Sequence, residues 1–189
     1  NMYINYINDA YVPSEKTIEM INNFKKKYSK IIAISSQIGI EDELIDFLKK
    51  SASASEKFLY IFVPRYFDKN YSYYEFPTNI IILSDLDVYK IIKEADFHAT
   101  VNSSCAVKAP AIGIPNVLIN IKNESKKYYS EILPNPEVTR FVNTPEEFVN
   151  LIQNWIPKSS EEIKKLHQGF YTENHKESLK KALDIIMND

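Results

Sequence analysis

The sequence predicts the α/β class, as a three-layer domain with about six parallel strands. Short, almost wholly apolar runs alternate along the chain with amphipathic segments, and this alternation is typical of βαβ units and a parallel sheet. The apolar runs show no strict alternation of apolar and polar residues, which indicates strands that helices cover on both faces. A chain of 189 residues is also of ordinary size for a single domain.

The first half of the chain supplies three of the predicted strands. A helix is expected to open at Pro13 and Ser14, with Ile18, Ile21 and Phe24 on one apolar face. The small residues 51–55 are expected to form a flexible connector, and residues 65–77 a polar, aromatic loop. The strands are predicted at 30–35, 58–63 and 79–83, and further helices at 41–50 and, capped by Asp87, at 87–95.

The second half adds three strands and a strongly marked helix start. Thr144 is in the cap position of this helix, Pro145 is its first residue, and Glu146 and Glu147 place acids in its first turn. The strands are predicted at 97–101, 116–121 and 138–142, and the helices at 103–112, at 125–133 and from 145 to about 155. Residues 1–156 are therefore expected to form one domain, with residues 157–189 as a helical extension packed on it.

Composition and charge exclude several classes of function. The formal net charge is −2, which leaves no basic excess for nucleic acid or an anionic membrane. One cysteine and three histidines argue against a disulfide framework and a metal site, and no cofactor is expected. No apolar run reaches the ~18 residues of a membrane span, no signal peptide is visible, and a cytoplasmic location is expected. Three glycines in all leave no glycine-rich phosphate loop.

The candidate site follows from the rule that ligands of parallel sheets bind beyond the carboxyl ends of the strands. Ser103 and Ser104 follow the fourth strand and open a helix, whose free backbone N–H groups favour an anion such as phosphate. A simple helix cap at Ser103 is the alternative. Arg65 is the best candidate for a bidentate phosphate contact. The residues predicted at the four strand ends are Ser36 and Gln37, then Arg65, then Ser84 and Asp85, then Asn102, Ser103 and Ser104.

Other residues of chemical interest have plainer expected roles. His98 is expected to be a packed core histidine and Cys105 a small buried residue, whereas His167 and His175 are expected at the surface. Lys122, Lys126 and Lys127, beyond the fifth strand, are weaker candidates for a phosphate contact, and a solvated helix face is the alternative. The aromatic residues of the long loop suit stacking on a sugar or base, or packing against a partner domain, of which we expect the second. They are Tyr66, Phe67, Tyr71, Tyr73, Tyr74 and Phe76.

Two segments carry a family resemblance. Residues 95–104 read Ala-Asp-Phe-His-Ala-Thr-Val-Asn-Ser-Ser, and residues 108–119 read Lys-Ala-Pro-Ala-Ile-Gly-Ile-Pro-Asn-Val-Leu-Ile. This pattern resembles the nucleotide-sugar half of the GT-B superfamily, and UDP-N-acetylglucosamine 2-epimerase with related capsule or cell-wall glycosyltransferases in particular. The order of elements over residues 31–155 fits the same half. The resemblance implies a Rossmann-like domain equivalent to the C-terminal half of a GT-B enzyme.

The resemblance also implies roles for individual positions. The donor diphosphate would lie against Asn102, Ser103 and Ser104, the turn 84–86 would contact the base, and residues 36–37 would face the cleft. Lys108 stands where many relatives have an acid that holds the ribose hydroxyls, and an ammonium group cannot accept those hydrogen bonds. Lys108 therefore either faces a phosphate or lies along the helix surface.

The implied function is the nucleotide-sugar-binding half of a GT-B-type glycosyltransferase or sugar epimerase in surface polysaccharide biosynthesis. The expected partners are a nucleotide-sugar donor, a UDP-sugar above all, and an N-terminal GT-B domain if the chain is a fragment. No nucleic-acid partner is expected, and peripheral association with a membrane is expected only through a full-length enzyme. The resemblance identifies no catalytic residue. The alternative is a non-enzymatic α/β interaction module derived from this fold, with the aromatic loop and the C-terminal helices as its protein interface.

Overall fold

Six strands form one parallel sheet in the part of the chain that the structure describes, which is residues 15–65, 70–83 and 88–168 with Lys180 and Asp184. The computed structural model has β1 (Lys30–Ser35), β2 (Phe58–Val63), β3 (Ile80–Ile82), β4 (Phe97–Thr100), β5 (Asn116–Ile119) and β6 (Thr139–Val142). The order across the sheet is β3-β2-β1-β4-β5-β6, and each neighbouring pair is parallel. The predicted fold class is confirmed.

Helices cover both faces of this sheet. They are α1 (Glu15–Lys27), α2 (Glu41–Ala54), α3 (Val88–Glu94), α4 (Cys105–Ala111), α5 (Glu124–Tyr129), α6 (Pro145–Asn154) and α7 (Ser160–His167), with 3-10 turns at Tyr71–Tyr74 and Ile121–Asn123. One hydrophobic cluster joins α2 and α6 to the first face, and a second joins α1, α3 and α4 to the other. The predicted helix starts at Pro13, Ser14 and Asp87 lie outside the described residues.

Alternating side chains of the central strands enter the two clusters. Ile32 and Ile34 of β1 pack in the cluster with α2, whereas Ile31 and Ala33 pack in the cluster with α1. Successive side chains of a strand point to opposite faces, so a strand between two helical layers needs apolar residues at every position. This is the physical reason why the apolar runs of the sequence lack alternation.

The predicted connector at residues 51–55 is wrong over most of its length, because α2 continues to Ala54. The Ser51 hydroxyl donates to the carbonyl oxygen of Phe47 at 2.9 Å, which satisfies this buried group inside the helix. The end of the helix is held by Asn79, whose side-chain nitrogen lies 3.0–3.1 Å from the carbonyl oxygens of Ala52, Ser55 and Phe58. Small residues here allow close packing and do not mark a flexible segment.

The predicted start of α6 is confirmed. Thr144 is the cap, and its hydroxyl oxygen accepts a hydrogen bond from the Glu147 N–H at 3.2 Å. Pro145 occupies the first turn, where its missing N–H removes no hydrogen bond.

The described part of the predicted C-terminal extension packs against the α4–β5 connection. Gly113 has φ +85°, and a Cβ at this position would lie 1.8 Å from the Ser160 hydroxyl oxygen. His167, expected at the surface, is only 6% exposed, and its Nε2 donates to the carbonyl oxygen of Val107 at 2.9 Å. The surface assignment of His167 is wrong because this residue lies one turn after the buried Ile163, on the face of α7 that packs against the domain. The domain boundary at residue 156 stays a prediction, and His175 lies outside the described residues.

The strand order reverses between β1 and β4. The chain moves outward from β1 through β2 to β3, then returns to place β4 on the other side of β1. The loops that follow β1 and β4 therefore diverge and leave a crevice at their carboxyl ends, which is where open α/β sheets bind ligands. As to membranes, every helix among the described residues is too short or too polar to cross a bilayer.

Candidate functional site

The carboxyl edge of the sheet brings most of the predicted site residues together. Ser36 and Gln37 follow β1, Arg65 follows β2, and residues 102–104 follow β4, so they lie after three neighbouring strands. Ser84 and Asp85, with Leu86, lie outside the described residues. The structure thus places six of the predicted residues at one edge, with the crevice between β1 and β4 at its centre. They are Ser36, Gln37, Arg65, Asn102, Ser103 and Ser104.

A buried hydrogen-bond network forms the floor of this crevice. The Thr100 hydroxyl donates to the carbonyl oxygen of Ser35 at 2.8 Å, which ties the ends of β4 and β1 together. His98 lies 2.8 Å from the Ser35 hydroxyl through Nε2 and 2.7 Å from Asn116 Oδ1 through Nδ1. Burial lowers the pKa of His98 to about 4, so the ring is neutral near pH 7. The prediction of a packed core histidine is confirmed.

Behind the β1 loop lies a buried carboxylate that the sequence did not reveal. Glu41 is 4% exposed, and its side chain accepts hydrogen bonds from the Ser36 hydroxyl and, at 3.0 Å, from the Tyr71 hydroxyl. Three acids open α2, a pattern that normally indicates only complementarity to the helix dipole. The Ser36 hydroxyl is turned toward Glu41, and the next residue of this loop, Gln37, is half-buried.

A second unanticipated carboxylate stands beside Asn102. The Asn102 side-chain nitrogen donates to Glu124 Oε2 at 3.3 Å, while Asn102 Oδ1 is buried with no hydrogen-bond partner among the described residues. Glu124 is the first residue of α5 and is half-buried. A carboxylate accepts hydrogen bonds from two hydroxyls, so Glu124 can supply the function that Lys108 cannot. Its place just beyond the fifth strand is the signal that could have identified it.

The amino end of α4 is more occupied than the sequence suggested. The N–H groups of Cys105 and Ala106 donate to the hydroxyl and carbonyl oxygens of Ser103 at 3.3 and 2.9 Å. The Tyr129 hydroxyl also donates to the Ser103 carbonyl oxygen, at 2.8 Å. The expectation of a row of free N–H groups is therefore wrong. At this end of α4, the N–H of the exposed Ser104 has no hydrogen-bond partner among the described residues.

The two predicted cations differ in their surroundings. Lys108 lies one turn into α4, with its ammonium nitrogen 5.2 Å from the centre of the Tyr89 ring. A cation over an aromatic face is electrostatically favourable, so this ring holds the ammonium against α3. Arg65 is exposed and follows the end of β2 by two residues.

A third cation forms an ion pair at the carboxyl edge of the sheet. Lys122, in the turn after β5, forms an ion pair with Glu43 in the first turn of α2. This pair holds the pKa of the Glu43 carboxyl below its usual value. Lys122 is thereby held at the carboxyl edge of the sheet by an acid of its own domain.

The described part of the aromatic loop packs on its own domain. Tyr71 lies edge-on to Phe62 with ring centres 5.8 Å apart, and Tyr74 donates its hydroxyl to Asp42 at 2.6 Å. Phe76 stacks obliquely on Tyr74. Our expectation that these rings pack against a partner domain is wrong for the buried Tyr71. It stays a prediction for the half-buried Tyr74 and Phe76 and for Tyr73, which is 83% exposed. Tyr66 and Phe67 lie outside the described residues.

The acids and histidines of the described residues form no group of three or more that could hold a metal ion. Cys105 is buried, as expected, and its thiol lies 3.8 Å from the Tyr89 hydroxyl. The crevice therefore has neutral hydrogen-bonding groups, the half-buried carboxylate of Glu124 and cations near its rim. This set of groups suits a ligand that carries both phosphate and hydroxyl groups.

Comparison with solved structures shows where this fold occurs. A variant of the wall teichoic acid polymerase TagF soaked with CDPG superposes with a TM-score of 0.57 at 18% identity, over 90% of this chain and 42% of that one. The calicheamicin glycosyltransferase CalG4 gives 0.55 at 14% identity, over 74% and 37%. The UDP-GlcNAc 2-epimerase from Neisseria meningitidis, bound to UDP-GlcNAc, gives 0.50 at 13% identity, over 81% and 42%.

No protein-family model and no curated protein matches the sequence. The fold is that of the GT-B glycosyltransferases and UDP-GlcNAc 2-epimerases, as the resemblance implied. The chain spans less than half the length of each of these three proteins. The likeness, at less than one-fifth identity, concerns the fold, and the ligand has to be argued from the site.

Proposed function

We propose that the chain is the nucleotide-binding half of a GT-B-type glycosyltransferase or nucleotide-sugar epimerase. The observation that carries the proposal is the crevice between the carboxyl ends of β1 and β4, lined by hydroxyl, amide and carboxylate groups. The fold also occurs in a protein described as bound to UDP-GlcNAc and in one soaked with CDPG. The ligand class is a nucleoside diphosphate joined to a sugar or another polyol.

Different site residues would bind different parts of the ligand. The Ser104 N–H and the Arg65 guanidinium would bind the diphosphate, since both donate hydrogen bonds that anions strengthen. Glu124 would accept the hydroxyls of the ribose, and the buried oxygen of Asn102 would accept a donor from the same ligand. Ser84 and Asp85 stay candidates for the base. Lys108, held over Tyr89, would lie beside the diphosphate and not on the ribose.

This half would hold the nucleotide while bonds change at the sugar. The reaction class is glycosyl transfer or a related reaction at the anomeric centre, where a bound diphosphate leaves more readily when cations and N–H groups stabilise its charge. A second domain would bring the acceptor and the groups that act on it. A role in surface polysaccharide synthesis and a cytoplasmic location are predictions that belong with this proposal.

The test is a calorimetric titration with UDP, CDP, ADP and GDP and with the four matching nucleosides. We expect at least one diphosphate to bind, and the nucleoside with the same base to bind at least ~10-fold more weakly, because a charge-assisted contact contributes about 1.5–3 kcal/mol. The variant Arg65→Gln should weaken binding of that diphosphate by ~10-fold. Lys57→Gln is the matched control, since Lys57 is an exposed cation just before β2 while Arg65 follows the same strand.

The expected result is a loss for Arg65→Gln with Lys57→Gln within ~2-fold of the parent chain. Silence across the whole nucleotide panel would overturn the proposal for this chain. Equal losses in both variants would show that net charge attracts the nucleotides without a site at the carboxyl edge.

A further inference from the structure

A second concave site lies at the amino ends of the strands, whereas the crevice lies at their carboxyl ends. It is a cavity of about 190 Å³ between the turn that follows α5, the start of β6 and the end of α7. Its apolar lining comes from Ile132, Leu133, Pro134, Val138 and Leu166. Because β6 begins here and ends at the carboxyl edge, this cavity and the proposed nucleotide site occupy opposite ends of parallel strands.

One polar side chain in this cavity lacks a hydrogen bond. Thr139 is 3% exposed, and its buried hydroxyl has no partner among the described residues. Phe141, two residues along β6, packs in the cluster with Leu133. Since side chains two apart share a face of a strand, Thr139 points to the side of the sheet on which the cavity lies. A buried hydroxyl without a partner is unfavourable by about 1–3 kcal/mol, so a ligand that bonds to it removes a penalty.

The remaining polar groups of the cavity are neutral. Asn135 lines it, and His167 donates its Nε2 proton to the carbonyl oxygen of Val107. None of its eight lining residues is an acid, a lysine or an arginine. Nothing in the lining therefore compensates a charged ligand for its lost hydration.

We propose that this cavity binds a compact, uncharged ring that carries one hydroxyl, with the hydroxyl bonded to Thr139. The size is suitable, because a dry apolar cavity of about 150 Å³ holds benzene. The exposed Ile132 and Leu166 stand at its mouth, so a ligand can enter without unfolding the domain. The proposal goes beyond the nucleotide-binding function and does not depend on it.

The test titrates the full chain with phenol and toluene, two probes of nearly the same shape. Binding is measured by the amide chemical shifts of the protein. We expect phenol to shift the amides of residues 132–135 and 138–139, and to bind ~2- to 10-fold more tightly than toluene, the factor of one hydrogen bond. The variant Thr139→Val keeps the shape of the side chain and removes the hydroxyl. It should lower phenol affinity by the same factor while toluene binds as before.

A second variant tests the position of the probe. Leu166→Trp fills the mouth of the cavity from a position that is 43% exposed, so the fold tolerates it, and it should weaken both probes at least ~10-fold. Benzoate, a charged ring of similar shape, should bind at least ~10-fold more weakly than phenol. The proposal is overturned if neither probe shifts these amides, or if Thr139→Val weakens phenol and toluene equally.

Discussion

The imidazole of His98 accepts a hydrogen bond from the Ser35 hydroxyl across 2.8 Å, at the point where β4 meets β1. Its other nitrogen, Nδ1, lies 2.7 Å from Asn116 Oδ1 and must carry the proton, because an amide oxygen can only accept. The direction of both bonds is thereby fixed. One histidine joins three adjacent strands directly beneath the crevice, and its complete burial keeps the ring uncharged near pH 7.

The free energy of unfolding should therefore decrease as the pH of the solution is lowered below neutral. The pKa of His98 is lowered from 6.5 to about 4, so below pH ~6.5 the unfolded chain binds a proton that the folded chain rejects. The contribution is complete above that pH and is lost progressively as pH falls toward the folded pKa. Urea unfolding at several pH values should show a slope of up to ~1.4 kcal/mol per pH unit from this group.

The His98 ring can also be followed directly by NMR. We expect its ring protons to show no titration between pH ~8 and ~5. The burial of His167 also lowers its pKa and contributes in the same direction, so the signals of the two rings must be resolved. A midpoint for His98 near the ordinary value would contradict the network.

Two buried tyrosines should respond oppositely to removal of their hydroxyls. The Tyr60 hydroxyl has no partner among the described residues, and burial raises its pKa. Tyr60→Phe should leave the free energy of unfolding unchanged or raise it by up to ~1 kcal/mol. Tyr71→Phe removes the hydrogen bond to Glu41 and should lower it by ~1–3 kcal/mol.

Chemical denaturation of the two single variants measures this contrast. The same atom is removed each time, so differences in ring packing cancel to first order. Equal losses of stability would mean that the Tyr60 hydroxyl has a partner within the folded chain.

Two glycines test how α7 is packed. Gly39 and Gly113 have nearly equal φ values, +82° and +85°, but a Cβ on Gly39 would meet nothing within 4 Å. Gly39→Ala should lower the free energy of unfolding by only ~1–2 kcal/mol, because a residue with a Cβ is strained in the left-handed conformation. Gly113→Ala should lose clearly more, because its Cβ would overlap Ser160.

Thermal or urea unfolding of the pair separates backbone strain from steric overlap. If a protease cleaves within α7 faster in Gly113→Ala than in the parent chain, the extra loss of stability arises from displacement of α7. Similar losses for both glycine variants would mean that α7 does not rest on Gly113.

Glu124 should recognise the ribose and not the phosphates. Glu124→Gln keeps the size of the side chain and weakens its acceptors, so UDP should bind ~5- to 10-fold more weakly. A 2′,3′-dideoxy analogue should bind the variant and the parent chain equally. Calorimetry is the measurement, with Glu131→Gln, an exposed acid beyond α5, as the control. Tighter binding of both nucleotides to Glu124→Gln would show that the carboxylate only repels the diphosphate.

The strands were predictable because their apolar runs are continuous. The bounds of β1 and β2 match the predicted ones residue for residue, and Thr144 caps α6 as expected. The error at Ser51 arose because small polar residues are equally typical of loops and of tightly packed helix ends. The side chain bonds back to its own helix, and only the neighbouring layer of the fold makes that arrangement favourable.

The site was predictable in position and less so in detail. Strand ends locate Ser36, Arg65 and Ser104 at one edge without knowledge of any contact. The roles of Glu41 and Glu124 depend on partners 30 and 22 residues away in sequence, and no local pattern reports such pairings. The orientation of His167 depends in the same way on Val107.

The most direct measurement of the central claim is an amide chemical-shift titration of the chain with the best-binding nucleoside diphosphate. The account predicts saturable shifts at Ser103 and Ser104, beyond β4, while the amides of Val138 and Thr139 at the other edge stay in place. Shifts confined to the amino edge, or none at ligand concentrations of ~5 mM, which correspond to affinities too weak for a specific site, would contradict a nucleotide site in the crevice.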